Sequence, residues 1–412
     1  VSDKTGRKQT IHHIAITADS QEAVDKYAEM LKKMVQEHLA VWGEFPKYDY
    51  GNYYFLHSSH PENAGDGMEH RNSTVIVQRS EKIEGNELGA LGTFSHEFFH
   101  SWNVERFRPK TLEPFDFTHS NVSDGLWMAE GFTQYYGGLL LKRAGFRTLE
   151  QCIQGFNGIV NTVLTSPGAL NYSPIDASRY AVFADAGVAI DQTNKTNIFT
   201  SYYTYGASVA LALDLRLRAN YKLTLDDYMR ALWAPYGRPE IPYNVPDLQK
   251  TLAALTKDPS FADAFFKQYV YGTAKHDYAA LLSNAGLVLR KANPGKAFSG
   301  LGRVTVEGNK AVISSTLKGS PAYLAGLDVG DVLLRVAGET IKTQADLTAV
   351  TVAHKPGDKI QVTYTHRGIS YNTDIILSED PALEIVTMEN AGQTPNATML
   401  DFRNKWLNTQ IK

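Results

Sequence analysis

His96-Glu97-Phe98-Phe99-His100 sets two histidines four residues apart with a glutamate between them. On an α-helix, residues i and i+4 share a face with Cβ atoms about 5–6 Å apart, so both imidazoles can reach one Zn²⁺. Glu97 flanks the same face three residues before His100 and can touch a water on the metal without being a ligand, which is the position of a general base. Zinc in catalytic sites takes three protein ligands and keeps one position open. Glu130 is the third-ligand candidate. It begins a second helical run whose packing face is Trp127, Phe132, Tyr135 and Leu139. A carboxylate in so apolar a helix is costly to bury alone, and a metal gives it a partner. The competing readings are two surface histidines on an amphipathic helix and a first-turn glutamate favoured by the helix dipole.

The elements that must hold these residues are legible in outline. Leu88, Leu91, Phe94, Phe98, Phe99 and Trp102 supply apolar faces around the two histidines, as a buried helix requires. Upstream, Asp19 is the expected N-cap of a helix, with Glu22 three residues on. Val24, Tyr27, Leu31, Met34, Val35 and Leu39 recur there at helical spacing, and Gly43 with Pro46 ends it. Thr10–Thr17 reads as a strand or entry loop. Tyr50–His57 and Ser73–Gln78 read as strands bracketing a Gly-rich loop over Asn63–Glu69.

From 88 to about 288 the pattern is mainly helical, broken by irregular stretches at 105–124, 166–200 and 235–246. Past Lys291-Ala-Asn-Pro-Gly295 short β-type runs separated by Gly turns take over, with Leu327, Val332 and Leu334 as core positions. The expected class is α+β, with a mainly helical domain over 1–288, a small β-rich domain over 289–380 and a polar tail over 381–412 that ends in an amphipathic piece around Met399–Leu407.

At 412 residues the chain exceeds what one core usually serves, consistent with more than one domain. A net charge of −3 leaves no basic stripe and argues against nucleic acid as a partner. No apolar run of about 18 residues is present, so no membrane span is expected. The single cysteine, Cys152, excludes an internal disulfide and sits in a helical run as a small core residue. No signal peptide is visible, but the chain opens at Val1 rather than Met, which leaves room for a removed upstream segment. Localisation is unknown from these signals, with a periplasmic or secreted setting favoured over the cytoplasm.

Four segments together resemble the glycyl aminopeptidase family, gluzincin metallopeptidases related to aminopeptidase N with a thermolysin-like zinc domain. They are Gly67-Met-Glu-His-Arg-Asn-Ser73, His96 to Pro109, Leu126 to Tyr136, and Ser201-Tyr-Tyr-Thr-Tyr-Gly206. The resemblance implies that His96, His100 and Glu130 bind zinc and that Glu97 is the general base. It also implies that Glu69 receives the free α-amino group of a peptide substrate. Tyr203 would hydrogen-bond the oxyanion; Tyr205 stands where the related Tyr-x-Lys-Gly pattern has Lys, so the choice among Tyr202, Tyr203 and Tyr205 stays open. The family carries an N-terminal β-rich domain, and this chain opens almost at the catalytic one.

Gly319-Ser-Pro-Ala-Tyr-Leu-Ala-Gly-Leu-Asp-Val-Gly-Asp-Val-Leu333 resembles bacterial PDZ domains, which implies capture of a peptide C-terminus on backbone N–H groups, with Gly300-Leu-Gly302 as the loop. A purely architectural module packed on the catalytic domain is the alternative. The resulting expectation is a zinc aminopeptidase acting on peptides with a free N-terminus, preferring small residues such as Gly or Ala. The alternatives are a zinc endopeptidase and an inactive, peptidase-like PDZ binding protein.

Overall fold

The computed structural model describes residues 1–184 and 194–411. Residues 185–193, inside the stretch 166–200 expected to be irregular, lie outside the described residues. Around them that stretch is broken into short helices at Pro167–Asn171, Pro174–Arg179, Ala181–Ala184 and Lys195–Ile198.

Strands β1 (Thr10–Ile16), β2 (Asn52–Ser59), β3 (Asp66–His70) and β4 (Ser73–Gln78) form one sheet in the order β1-β2-β4-β3. The first two and β4 run parallel, whereas β3 lies antiparallel at the edge, with Glu69 opposite Thr74 and Gly67 opposite Ile76. The loop expected over Asn63–Glu69 is thus partly a strand. Its polar, glycine-rich composition signals a turn locally, but the open edge of β4 supplies a ladder that local propensity does not register.

Helix α1 (Gln21–Trp42) stops at Gly43, whose φ of 86° lets its N–H close on the Leu39 carbonyl. Its N-cap is Ser20, not Asp19 as the sequence pattern indicated; the Ser20 side chain accepts from the Ala23 N–H. The Asp19 carboxylate turns instead to the backbone N–H groups of Ile83 and Glu84. Helix α2 (Glu87–Phe99) packs on the sheet, with Phe98 edge-on to Tyr53 and Phe55, and Phe94 edge-on to Phe55. Leu88, expected on its packing face, lies in the first turn and is 44% exposed.

Helix α3 (Leu126–Arg143) lies beside α2, followed by α4 (Leu149–Thr165) and α5 (Tyr202–Arg216). Cys152 is buried in α4. Helices α3 and α5 touch backbone to backbone at Gly131 and Gly206. A Cβ on Gly131 would lie 2.3 Å from the Gly206 Cα, and one on Gly206 would lie 2.0 Å from the Trp127 carbonyl oxygen.

Past the helical region the chain leaves on β5 (Leu287–Lys291) and builds a six-stranded antiparallel sheet from β6 (Val304–Glu307), β7 (Lys310–Ile313), β8 (Val332–Val336), β9 (Lys359–His366) and β10 (Ile369–Ile376), with the two-residue strand Glu339–Thr340 paired to β8 off the main path. Its order is β10-β9-β8-β7-β6. Leu301, Ile313, Leu333, Val336, Val362 and Ile375 belong to its own core. Leu334 was expected in that core but is 37% exposed. A register shift against β9 between Thr363 and Tyr364 leaves Leu334 and Arg335 both facing out, where strict alternation would have turned one of them inward.

The chain then returns on β11 (Leu383–Thr387), which pairs antiparallel with β5, and ends in helix α6 (Ala397–Leu407). Within residues 381–412, expected as a tail, Leu383–Thr387 and Ala397–Leu407 therefore rejoin the helical domain. Trp406 is fully buried and stacks on Phe156 at 5.0 Å between ring centroids. Its Nε1–H donates to the Tyr135 hydroxyl at 2.8 Å. The fold is α+β: a helical domain whose last strand and helix come from the C-terminal end, with the β-rich domain inserted between β5 and β11.

Candidate active site

His96 lies in the last turn of α2 and His100 is the residue that ends it, still in right-handed helical backbone. Their rings stand 4.8 Å apart at 78°. Each Nε2 lies 3.2 Å from one oxygen of Glu130, and the three ligand atoms fall within 4.8 Å of one another, a group that could hold a metal ion. Gly137 of α3 packs against His96, where an added Cβ would make ordinary contact with its Cα at 3.5 Å.

Outside that trio a layer of hydrogen bonds fixes the His100 ring. The Nδ1–H of His100 donates to the Asn103 carbonyl at 2.7 Å, which turns Nε2 toward Glu130. The Asn103 amide in turn reaches the carbonyls of Met128 and Ala129 and the Thr133 hydroxyl, tying the end of α2 to the turn of α3 that carries Glu130.

Charge in the cluster is strongly organised. Burial alone would raise Glu130, but His100 and His96 overcome it and hold the carboxyl well below the usual range. Burial likewise disfavours a charged His100, yet the Glu130 carboxylate beside it lifts the ring to about 10. Burial, with the neighbouring charge of His100, pulls His96 below its ordinary value. Glu97 is pushed up to about 8, first by burial and then by Glu69 and Glu130, against the pull of His100. Three carboxylates crowd two imidazoles, an arrangement suited to a cation.

Glu69 and Gly67 alternate along β3 on the face turned to α2. The carboxylates of Glu69 and Glu97 and the His100 ring again offer atoms within 4.8 Å of one another. Gly67 allows this approach: a Cβ there would sit 2.6 Å from Glu97 Oε1 and 2.5 Å from the Thr93 methyl. Tyr203, in the first turn of α5, stands 5.9 Å from the His96 ring, with Tyr202 stacked on it at 4.8 Å. Tyr205 is engaged elsewhere, since its hydroxyl donates to the Ala169 carbonyl and accepts from Lys275 Nζ. Among the three tyrosines left open by the sequence, Tyr203 is the one beside His96 and in the cleft.

That cleft, about 560 Å³, is lined by Asp66, Gly67, His96, Glu97 and Tyr203 together with Gln134, Arg147 and Phe156. Of the six residues singled out from the sequence, His96, His100 and Glu130 form one group and Glu69, Glu97 and His100 a second that shares His100, while Tyr203 stands beside His96. Sequence reasoning missed Asn103 and Arg147. Asn103 was within reach as a polar residue three past His100, next to Trp102, whereas Arg147 lies in a turn with no motif around it.

Residues 89–209 match the family model of the M61 glycyl aminopeptidases, and residues 299–377 match that of the PDZ domain. The first match contains His96, Glu97, His100, Glu130 and Tyr203 and begins after Glu69. Among solved structures, the crystal structure of an aminopeptidase N family protein from Idiomarina loihiensis is similar with a TM-score of 0.79 at 22% identity. The match covers 96% of this chain and 68% of that one, a likeness of fold. Serine protease Do-like HtrA of Lactococcus lactis subsp. lactis (strain IL1403) is 35% identical over 68 residues, 16% of this chain. Its counterpart in Lactococcus lactis subsp. cremoris (strain MG1363) is 34% identical over 68 residues. The chain spans only 17% of the length of either curated relative. With a fold like that of an aminopeptidase N family protein and two matched segments in this order, the chain carries an M61 glycyl aminopeptidase domain followed by a PDZ domain.

Proposed function

We propose that the chain is a zinc-dependent aminopeptidase that removes small N-terminal residues, Gly or Ala, from peptides. The observation that carries this reading is the nearness of Glu69 to Glu97 and His100, beside the trio His96, His100 and Glu130. A carboxylate held against the reacting centre has one clear use, to receive a free α-amino group and so measure one residue from the substrate's N-terminus. The small-residue preference rests on the family description alone.

Zinc suits the donor set. Two ligand atoms each about 2.0–2.1 Å from a tetrahedral zinc lie about 3.3 Å apart. Each imidazole Nε2 lies 3.2 Å from the Glu130 oxygen, and Asn103 orients the His100 ring for donation through Nε2. His96, His100 and Glu130 would hold the metal, which when bound supplies Lewis acidity toward the scissile carbonyl and acidifies water. Glu97 takes the proton of the attacking water and passes it to the leaving amine. The Tyr203 hydroxyl donates to the developing oxyanion, and Glu69 holds the ammonium end so that the first peptide bond is the one presented. The inserted PDZ domain adds a second peptide site, for a C-terminal carboxylate at Gly300–Gly302, where both glycines take positive φ.

The test is zinc analysis of the purified protein together with hydrolysis of alanyl anilide and its N-acetylated form. One equivalent of zinc and cleavage confined to the free amine are expected, with Glu69→Gln raising KM for the free-amine substrate by about tenfold or more. Equal cleavage of the blocked substrate would make the enzyme an endopeptidase. Loss of both zinc and activity would leave a PDZ binding protein with an inert peptidase domain.

A further inference from the structure

The acidic end of the cleft faces an arginine that the mechanism does not use. Arg147 sits just before Thr148, the N-cap of α4, and its guanidinium lies between α2 and α3. A Cβ on Gly138 would lie 3.3 Å from Arg147 Nη1, and one on Gly92 would lie 3.7 Å from Nη2. Gly92 is four residues before His96 on the same helix, and Gly138 adjoins Gly137, the residue packed on His96. The guanidinium therefore stands about one helical turn, ~5.4 Å, along α2 from His96, while Glu69 clusters at the His100 end. Among the described residues no acid forms an ion pair with Arg147 and no carbonyl accepts from it. The other charged groups lining the cleft, Asp66 and Glu97, are acidic.

A half-buried guanidinium with its donors open to a cleft is built for a planar, two-oxygen acceptor. Glycine on both neighbouring helices keeps its edges clear of side chains. We infer that Arg147 binds the C-terminal carboxylate of short peptides, so that the cleft selects di- and tripeptides by holding the ammonium at Glu69 and the carboxylate at Arg147. An extended peptide advances about 3.3–3.6 Å per residue, so a carboxylate one or two residues beyond the scissile bond spans the helical turn between His96 and the guanidinium. The inference rests on the aminopeptidase reading and names the substrate class of the same site.

The experiment compares dialanine and trialanine with their C-terminal amides, on the wild type, Arg147→Ala and Arg147→Lys. The wild type is expected to favour the free acids by about 10–100-fold in kcat/KM, chiefly through KM. Arg147→Ala should bring acid and amide to within about twofold, and Arg147→Lys should keep part of the preference because an ammonium offers one point of charge instead of a fork. No acid preference in the wild type, or an undiminished one in Arg147→Ala, overturns the inference while leaving the aminopeptidase reading intact. Faster cleavage of alanyl-aspartyl amide than of dialanine also overturns it, by assigning the arginine to acidic side chains. If no free-amine substrate is cleaved, the aminopeptidase reading fails instead. Calorimetric binding of trialanine and its amide to the Glu97→Gln protein, with and without Arg147→Ala, then decides. A preference for the acid that disappears with the arginine supports the inference, and equal binding of acid and amide overturns it.

Discussion

Glu97 is buried and Glu130 half-buried on neighbouring helices, yet their surroundings drive them in opposite directions. Glu130 faces two imidazoles and is held ionised, whereas Glu97 is desolvated and crowded by Glu69 and Glu130, which raises it to about 8. On the proposed reading the first would donate electron pairs to a cation and the second would exchange a proton, the division of labour expected when two titratable groups are pushed apart by environment. Glu97→Gln keeps the shape and removes the basicity. Zinc content equal to wild type with a loss of about 10²–10⁴ in kcat is the expected outcome, read by metal analysis and hydrolysis of alanyl anilide on one preparation. A variant that keeps full activity would falsify the assignment of Glu97.

At the level of elements, the site depends on how closely helices approach, and glycine sets that distance. Gly67 lets β3 lie on α2, and Gly131 with Gly206 lets α3 and α5 meet at their backbones. The last contact sets the distance from Glu130 to Tyr203, since each residue sits within a turn of its helix's glycine. Gly206→Ala would force a methyl to within 2.0 Å of the Trp127 carbonyl oxygen, so the helices must part. The expected cost is on the order of 1–3 kcal/mol in stability, with activity reduced beyond what the lost folded fraction explains. Urea unfolding and kinetics at low temperature would measure the two separately. Gly158, on the exposed side of α4 with nothing within 4 Å of an added Cβ, is the control: Gly158→Ala should stabilise by about 0.5–1 kcal/mol.

At the level of the whole molecule, the PDZ domain is an insertion and not an appendage. The chain crosses into it on β5 and back on β11, an antiparallel ribbon, and the last helix then closes the peptidase core. Trp406 links α3 and α4: its ring stacks on Phe156, its Nε1–H donates to Tyr135, and its carbonyl accepts from Arg143 Nε. Arg143 also pairs with Asp226 at 2.9 Å in the interior. Trp406→Ala should therefore destabilise the peptidase core, about 250 residues upstream of it in sequence, by roughly 3–5 kcal/mol. Near-UV circular dichroism followed through thermal unfolding tests this; an unchanged midpoint would mean that α6 is dispensable.

The cluster of His96, Glu97 and His100 was readable from the chain because it obeys local spacing, whereas Glu130, thirty residues on, was singled out by its apolar helix and the family resemblance. His96, Glu97 and His100 fall on one helical face whatever the rest of the molecule does, and the apolar periodicity around them announces a buried helix. The change from helical to β-type patterning near 291 was readable for the same reason. Tertiary structure decided what depends on neighbours distant in sequence. Asp66–His70 became a strand because β4 offered an edge, Leu334 turned outward because of a bulge opposite β9, and Asp19 left the N-cap to Ser20 because backbone donors at 83 and 84 drew its carboxylate away. The polar C-terminal stretch joined the core through one tryptophan, and Arg147 reached the cleft from a turn without a motif. Periodicity records which face of an element is apolar, but it carries no term for the partner that an edge, a carboxylate or a guanidinium will meet once the chain has closed on itself.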